Sequence, residues 1–184
     1  MAVKSDGWII KMAQSERMIE PFSADQVKSG ISFGVSSYGY DFRLSDEFKI
    51  PITKDLSELD PKVDNSNFFS SVTAESILIP ANSFILGRSL EYFRIPRSVI
   101  TICTGKSTYA RCGVVANVTP FEPEWEGFAT ISLANTSPIP VRVYANEGIA
   151  QLLFLETAED CIKSYKEKNG KYQNQQKITL SKFD

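Results

Sequence analysis

The heptapeptide from Gly105 to Arg111, Gly-Lys-Ser-Thr-Tyr-Ala-Arg, combines residue types that bind phosphate groups. A glycine lets backbone N–H groups approach phosphate oxygens closely, and the ammonium group of Lys106 supplies a point charge. The hydroxyls of Ser107 and Thr108 add short donors, and the guanidinium group of Arg111 adds a planar fork. The segment indicates a nucleotide-like polyphosphate ligand, although the same residues also suit a solvated turn between two strands.

This heptapeptide differs from the P-loop of nucleoside triphosphatases in its glycines. A P-loop that ends in Gly-Lys-Ser needs another glycine five residues before the last one, where this chain has Ile100. The preceding run, residues 98–104, is rich in β-branched side chains and predicts a strand. The strand context therefore fits a P-loop, but the glycine pattern excludes one.

The composition of the whole chain narrows the classes of function. Its 184 residues, 42% of them hydrophobic, suit one folded domain with a core. Its net charge of −2 favours neither nucleic acid nor an anionic membrane as a partner. No apolar run approaches the roughly 20 residues that span a bilayer, and no cleavable leader pattern opens the sequence. We therefore expect a cytoplasmic protein.

Histidine is absent from the sequence, and the three cysteines lie far apart. Without histidine, Ser-His-Asp triads, imidazole bases and most zinc sites are excluded, so catalysis would depend on carboxylates, hydroxyls, lysine, arginine or tyrosine. The cysteines have no paired metal-ligand spacing and no disulfide framework. We interpret Cys103, Cys112 and Cys161 as small buried hydrophobic residues.

The elements that must position the heptapeptide are mostly strands. One helix is predicted near the start, capped by Ser5 or Asp6 and ending before Pro21. Between Tyr38 and Ser45 apolar residues alternate with polar ones, which indicates a half-buried strand. Further strands are predicted at 76–79, 83–88, 98–104, 114–118, 128–135, 141–144 and 149–156. Short strands at this spacing favour a mainly β sandwich, jelly roll or barrel.

Two segments are too polar to supply a core face. Residues 54–71 are acidic and contain a Leu-Asp-Pro turn, which predicts a surface loop. The last segment, residues 160–184, is rich in amide and cationic side chains. It is either a flexible tail or a flap that closes over an anion, with Lys171 as the charge and Gln175 as an amide clamp.

Eight short motifs follow one another along nearly the whole chain, and together they resemble the dCTP deaminase branch of the dUTPase-like superfamily. No single motif is decisive, but their order is specific. The motifs are Met18–Phe22, Ser36–Arg43, Ile79–Phe84, Glu91–Pro96, Gly105–Gly113, Asn117–Gly127, Tyr144–Gly148 and Gly170–Gln173.

The resemblance implies one domain over residues 1–184, a distorted antiparallel β-barrel of the jelly-roll-like β-clip type. Residues 1–20 would form an N-terminal helical segment and residues 160–184 a C-terminal flap. It further implies a homotrimer with active sites between subunits, and hydrolysis of dCTP to dUTP and ammonia without zinc. The implied ligands are dCTP and dUTP, with dTTP as a further candidate, and Mg²⁺ held by the triphosphate. Neither nucleic acid nor a membrane is an expected partner.

The resemblance also assigns roles by position. Phosphate contacts fall to Lys106, Ser107, Thr108, Lys171 and Gln175. Arg111 and Ser107 would also lie beside the base and help to place a water at C4 of cytosine. The other implied nucleotide contacts are Tyr109, Ala110, Val118, Thr119, Trp125, Thr130, Ile131, Gln151 and Tyr165. Core packing is an alternative for Trp125, Gln151 and Tyr165. Asp41 and Arg43 look catalytic by composition, but we interpret them as a structural ion pair.

One position departs from the family pattern. The proton-shuttling glutamate lies five residues after Trp-Glu-Gly, where this chain has Ser132, and the flanking motifs leave no room for a gap. Without histidine to activate it, a serine has no accessible ionised form near neutral pH, and loss of a general acid-base costs about 10²–10⁴ in rate.

Several explanations of Ser132 stay open. The chain could be an engineered inactive variant, or a rearranged loop could supply a carboxylate from Glu122, Glu124 or Glu126. Alternatively, the protein binds nucleotide without turnover, as a sensor or decoy. A dUTP diphosphatase is a less favoured alternative, because Ser132 does not supply the aspartate that activates water in that reaction.

Overall fold

Antiparallel strands are the main regular structure of residues 2–52 and 58–182, the part of the chain that the computed structural model describes. The strands are β1 (Ala2–Val3), β2 (Ile19–Glu20), β3 (Gly34–Ser36), β4 (Gly39–Pro51), β5 (Phe69–Thr73), β6 (Ser76–Ile79), β7 (Ser83–Arg94), β8 (Val99–Gly105), β9 (Val114–Asn117), β10 (Glu126–Asn135), β11 (Val141–Tyr144) and β12 (Gly148–Glu156). Helix α1 spans Asp6–Glu16, α2 is the single turn Ser107–Ala110, and Ser66–Phe68 form a 3₁₀ turn. The mainly β fold class is confirmed.

One curled sheet contains all of these strands except β6 and β11, which pair with each other. Its main path runs β1-β12-β4-β7-β10-β9, with β8 beside β12, β2 beside β7, and β3 and β5 beside β4. The long strand β4 pairs with β12 through Tyr40 to Arg43 and with β7 from Leu44 onward. Because β4 changes partners along its length, the two halves of the sheet face each other around the core.

Large aromatic and aliphatic side chains fill this core. Tyr40, Phe42, Phe48, Phe93 and Phe154 are all fully buried, or within 1% of it. The rings of Phe42 and Phe93 meet edge to face with centroids 5.6 Å apart. Such residues dominate the apolar area removed from water, so they supply most of the hydrophobic driving force of folding.

The predicted N-terminal helix is present as α1. Ser5 occupies the N-cap position but makes no side-chain capping bond, while Asp6 accepts a hydrogen bond from the backbone of Gly7. Ile9 and Ala13 are buried against the sheet. Arg17 ends the helix in the left-handed conformation. Neither α1 nor α2, the helices of the described residues, is long and apolar enough to cross a membrane.

The interpretation of residues 38–45 as a half-buried strand is wrong. Tyr38 is exposed, whereas Asp41 and Ser45 on the supposed solvent face are buried. Asp41 and Arg43 also do not pair with each other: Asp41 binds Lys106, and Arg43 binds the fully buried Glu91. Both faces of β4 are covered by other parts of the chain. The charged side chains of Asp41 and Arg43 are tolerated there because each has an oppositely charged partner.

Two smaller expectations also need correction. Residues 54–57 of the loop predicted at 54–71 lie outside the described part of the chain, and its last residues, from Phe69 onward, belong to strand β5 (Phe69–Thr73). None of the three cysteines is fully buried: Cys103 and Cys161 are half-buried and Cys112 is exposed, all as free thiols. Desolvation by its packed surroundings raises the pKa of Cys103 to about 12, so that thiol stays protonated.

Candidate functional site

A cavity of about 750 Å³ lies between strand β10 and the C-terminal segment. The strands contribute Leu86, Ile100, Asn117, Ala129, Thr130 and Ser132 to its lining. The loop between β9 and β10 contributes Val118, Thr119, Pro120, Phe121, Glu122, Pro123 and Trp125. The C-terminal segment contributes Tyr165, Tyr172, Gln175, Thr179, Leu180 and Ser181. A cavity of this volume, with aromatic walls and several hydroxyl groups, suits a ligand of nucleotide size.

Strand β10 presents two hydroxyl-bearing residues to the cavity. Thr130 and Ser132 line it, while Ile131 and Leu133 between and after them are buried in the core. Successive side chains of a strand point to opposite faces, so the alternation of β10 separates the two sets. Ile131 would therefore reach a ligand through its backbone. Ser132, at the position where the resemblance expects glutamate, is part of the cavity wall.

Trp125 joins the loop between β9 and β10 to the C-terminal segment. Its indole ring is almost fully buried and stacks on Phe121 with centroids 4.4 Å apart. Its Nε1 donates a hydrogen bond of 2.8 Å to the carbonyl oxygen of Tyr172. The core packing that the sequence left as an alternative for Trp125 is therefore present, and the same residue lines the cavity; its contact with a nucleotide stays a prediction.

The C-terminal segment packs on β10 and covers the cavity. The backbone of Asn174 and Gln175 exchanges hydrogen bonds of 2.9 Å with Glu126 and Phe128, which forms a parallel bridge. The hydroxyl of Thr130 donates to Oε1 of Gln175 at 3.1 Å and accepts from the backbone N–H of Thr179 at 3.0 Å. Both hydrogen-bonding directions of the Thr130 hydroxyl are therefore used to hold this segment in place.

A tight turn around Tyr165 shapes the same segment. The hydroxyl of Tyr165 accepts a hydrogen bond of 3.0 Å from the backbone N–H of Tyr172. A Cβ atom on Gly170 would lie 2.2 Å from the Tyr165 ring, so the turn requires glycine there. Lys171 is exposed and donates to the carbonyl oxygen of Lys182 at 3.3 Å, and it does not line the cavity.

The heptapeptide from Gly105 to Arg111 is not part of the cavity lining. It connects the end of β8 to the single turn α2. Nζ of Lys106 lies 2.7 Å from Oδ2 of Asp41 and 3.0 Å from Oγ of Ser32. The side chains of Lys106 and Asp41 are 12% and 4% exposed, so the lysine charge is largely buried and paired within the chain.

The other heptapeptide residues differ in exposure. Ser107, Thr108, Ala110 and Arg111 are exposed, and Arg111 donates a hydrogen bond of 2.8 Å to the carbonyl oxygen of Ser107. Tyr109 is buried, and its hydroxyl accepts a hydrogen bond from the backbone of Tyr144. Burial raises the pKa of Tyr109 to about 12. The side chains free to meet an anion here are therefore hydroxyls and a guanidinium group.

Gln151 lies with the heptapeptide instead of the cavity. It is paired with Asp41 across β12 and β4, and its amide donates to Oγ of Ser36 at 3.0 Å. Most of the expected site residues thus form two groups in the chain. The cavity group contains Val118, Thr119, Trp125, Thr130, Ser132, Tyr165 and Gln175, and the heptapeptide group contains Lys106, Ser107, Thr108, Arg111 and Gln151.

The three glutamates that could replace the missing carboxylate occupy different places. Glu122 lines the cavity, with its Oε2 3.4 Å from Nζ of Lys168. Glu124 lies 2.9 Å from Arg97 instead, and Glu126 borders a smaller pocket of about 170 Å³. Among the described residues, Glu122 is therefore the carboxylate that a ligand in the cavity would meet.

Arg97 links the loop to the C-terminal segment. Its guanidinium group contacts Glu124 at 2.9 Å and Glu167 at 3.1 Å, and it also donates to the carbonyl oxygen of Cys161. Hydrogen bonds from Arg97 and from the backbone of Ser164 lower the pKa of Glu167 to about 2. Glu167 is therefore ionised near neutral pH, and the same guanidinium group joins it to Glu124.

Several cavity residues were not among the expected site residues, and Leu86, Asn117, Tyr172 and Thr179 are four of them. Asn117 and Tyr172 fall inside motifs already noticed, and the alternation of β7 and β9 could have placed Leu86 and Asn117 on one face. No sequence pattern around Thr179 predicts its place in the cavity wall, because the polar C-terminal segment has no periodic spacing of hydrophobic residues. Within residues 2–52 and 58–182, no three His, Cys, Asp or Glu side chains are grouped closely enough to hold a metal ion.

Comparison with known proteins gives consistent results. Residues 3–157 match the family model described as dCTP deaminase-like. The dCTP deaminase of Nitrosomonas europaea is 56% identical over 188 residues, and that of Acidobacterium capsulatum is 57% identical over 184 residues; each alignment covers 100% of both chains.

A solved structure supports the fold. The crystal structure of 2'-deoxycytidine 5'-triphosphate deaminase from Agrobacterium tumefaciens matches with a TM-score of 0.64 at 15% identity. The match covers 84% of this chain and 48% of that one, about half its length. With a family match over most of its length and full-length relatives above half identity, the chain belongs to the dCTP deaminase-like family.

Proposed function

We propose that this protein binds dCTP at sites between the subunits of a homotrimer. The base and sugar would occupy the cavity of one subunit, and the triphosphate would meet the heptapeptide of a neighbour. The relatives above half identity are named dCTP deaminase, which supports dCTP as the ligand. The separation of the cavity and heptapeptide groups within one subunit supports a site shared by two.

The reaction we propose is hydrolytic deamination of dCTP without zinc. The oxygen of a water molecule bonds to C4 of cytosine, the bond from C4 to N4 breaks, and ammonia leaves. One proton of the water ends on N3 and the other on the departing amine, so a group that moves protons is needed beside C4. Mg²⁺ would neutralise the triphosphate and be held by phosphate oxygens and water, consistent with the lack of a carboxylate cluster among the described residues.

Ser132 is the observation that decides how well this reaction runs. It lies in the cavity wall, and neither of the strand residues beside it, Leu86 and Asn117, is a carboxylate. A serine hydroxyl does not exchange protons readily near neutral pH, so we propose that turnover is about 10²–10⁴ slower than with glutamate. The protein would then act mainly as a nucleotide-binding member of its family.

The experiment compares the wild type with Ser132→Glu and the control Ser132→Ala. Each is incubated with dCTP and Mg²⁺ while ammonia, dUTP and dUMP are measured. We expect slow deamination by the wild type and by Ser132→Ala, and a rate about 10²–10⁴ higher for Ser132→Glu. No dUMP is expected from any of the three, since a dUTP diphosphatase is not proposed.

Two results would contradict the proposal. Wild-type turnover in the ordinary enzyme range, about 1–10³ per second, with no gain in Ser132→Glu would show that Ser132 is not limiting. In that case loss of activity in Glu122→Gln would assign the carboxylate to Glu122. Absence of dCTP binding in a calorimetric titration would refute the nucleotide site itself. A cytoplasmic location and dTTP as a further ligand remain predictions from the sequence.

A further inference from the structure

Three neighbouring strands place a short row of side chains along the cavity wall. Ser132 of β10 is paired with Leu86 of β7 on one side and with Asn117 of β9 on the other. Residues paired in this way share a face of the sheet, and all three line the cavity. We call Leu86, Ser132 and Asn117 the base row, because they offer an apolar surface, a hydroxyl and an amide side by side.

The polar members of the base row are available to a ligand. The neighbouring Thr130 is not, because its hydroxyl already donates to Gln175 and accepts from Thr179. In contrast, the hydroxyl of Ser132 and the amide of Asn117 have no hydrogen-bond partner among residues 2–52 and 58–182. A base that entered the cavity would find both a hydroxyl donor and an amide donor there.

The base row contains no negative charge. The carboxylate of the cavity, Glu122, is on the loop between β9 and β10 and lies 3.4 Å from the ammonium group of Lys168. An ionised carboxylate accepts hydrogen bonds but cannot donate them, so beside a pyrimidine it favours a 4-amino group and repels a 4-keto oxygen. Ser132 removes that repulsion and can donate to the oxygen.

We propose that the base row makes this cavity selective for a pyrimidine deoxynucleoside triphosphate with a 4-keto group, such as dUTP, over the 4-amino nucleotide dCTP. The inference rests on the proposed nucleotide site and adds its ligand preference. Ser132 donates to O4 of the base, and Asn117 contacts the adjacent edge. The bound ligand at equilibrium is then the 4-keto nucleotide, which the slow chemistry of this site would leave unchanged.

The test measures dissociation constants of dUTP and dCTP with Mg²⁺ by stopped-flow tryptophan fluorescence, before any turnover. Trp125 lines the cavity, and a Trp8→Phe background leaves it as the remaining tryptophan of the chain. The two nucleotides differ at the base edge alone. We expect this protein to bind dUTP about 2–12-fold more tightly than dCTP, the range of one net hydrogen bond.

Three variants separate the contributions. Ser132→Ala removes the donor, and the two constants should then agree within about twofold. Ser132→Glu should reverse the preference and favour dCTP by about tenfold or more, because dUTP would face an unpaired carboxylate. Asn117→Asp, an isosteric change at an exposed residue, should shift the preference toward dCTP without any change at Ser132.

Each other outcome overturns the inference. If the Ser132 protein binds dCTP as tightly as dUTP or more tightly, the proposed preference is wrong while the nucleotide site stands. If Ser132→Glu and Asn117→Asp both leave the ratio of the two constants unchanged, the base row does not contact the base. If neither nucleotide binds, the proposed function fails together with the inference.

Discussion

Glu91 is an acidic residue of the core whose burial depends on Arg43, a partner 48 residues away in the sequence. Glu91 is fully buried and accepts hydrogen bonds from Nε and the backbone N–H of Arg43 at 2.8 and 2.9 Å. Its burial raises the pKa of the carboxyl group, and the Arg43 guanidinium group opposes that rise. The arginine also lies over the ring of Phe33. Neither member of this pair faces the cavity, so its role is structural.

A first prediction concerns this pair. Glu91→Ala should lower the free energy of unfolding by about 3–5 kcal/mol, because it leaves the half-buried Arg43 charge without a partner. Urea denaturation measures the loss. The matched control is the double variant Arg43→Met, Glu91→Leu, which removes both charges and should recover most of the stability. A loss below about 1 kcal/mol in Glu91→Ala would mean that the pair behaves like an exposed one.

Lys106 shows the same dependence within the expected site. Its sequence position next to two hydroxyl residues predicts an exposed cation for phosphate, yet its ammonium group lies between Asp41 and Ser32. Asp41 also accepts a hydrogen bond from Gln26 at 3.3 Å. Within one subunit the exposed cation of the heptapeptide is Arg111.

At the scale of elements, the C-terminal segment is held to the rest of the chain by its backbone bridge to Glu126 and Phe128 and by several side-chain contacts. Trp125 donates to the backbone of Tyr172, Thr130 contacts Gln175 and Thr179, and Arg97 contacts Glu167. These side-chain contacts are polar, and the hydrogen bonds are only partly buried, so each contributes little by itself. Segments held in this way open locally at lower cost than a core strand.

A second prediction follows for Arg97. Arg97→Gln removes the ion pair to Glu167 and the hydrogen bond to the carbonyl oxygen of Cys161, which should lower the closing free energy of the segment by about 1 kcal/mol and make opening about fivefold more frequent. Limited trypsin digestion at neutral pH measures this as faster cleavage after Lys166, Lys168 and Lys171. Arg142→Gln is the control, since Arg142 is exposed and contacts Ser76 far from this segment. Equal cleavage rates in the two variants would show that Arg97 does not restrain it.

At the scale of the whole molecule, the expected site residues fall into two groups on different parts of the chain. The heptapeptide follows the end of β8 beside β12, while the cavity is lined mainly from β7, β9 and β10, with Ile100 of β8. Because none of residues 105–111 lines the cavity, we propose that a ligand using both groups is bound by two copies of the chain, an arrangement that a cyclic trimer provides. The proposed homotrimer would therefore complete the active site as well as set the number of chains in the assembly.

A third prediction tests this arrangement. Light scattering should give a mass of three times the 20.6 kDa of one chain. Arg111→Ala alters the heptapeptide and Tyr165→Ala alters the cavity, so each variant alone should bind dUTP weakly. When the two are unfolded and refolded together, about a quarter of the sites in random trimers should combine two unaltered halves and bind with wild-type affinity. A mixture that binds no better than its components would place the whole site in one subunit.

Much of the fold was predictable from the sequence because the side-chain pattern of a strand is local: apolar and polar residues alternate along it. Strands β6 and β11 have the predicted bounds, and β8, β9, β10 and β12 differ from prediction by a residue or two. Strand β5 was missed, since Phe69–Thr73 follow a polar acidic stretch. The extension of β7 to Arg94 was also missed, because its pairing with β2 and β10 is not local.

The sequence by itself determined the mainly β class, the family resemblance and the serine at position 132. Only the tertiary structure decided that Ser132, Leu86 and Asn117 lie in one row, and that Asp41 neutralises Lys106. The physical reason is that alternation along a strand separates its two faces but does not state what covers each face. What covers each face depends on contacts between residues far apart in the chain. Through such contacts Ser132 lies at a cavity and Asp41 lies in the interior.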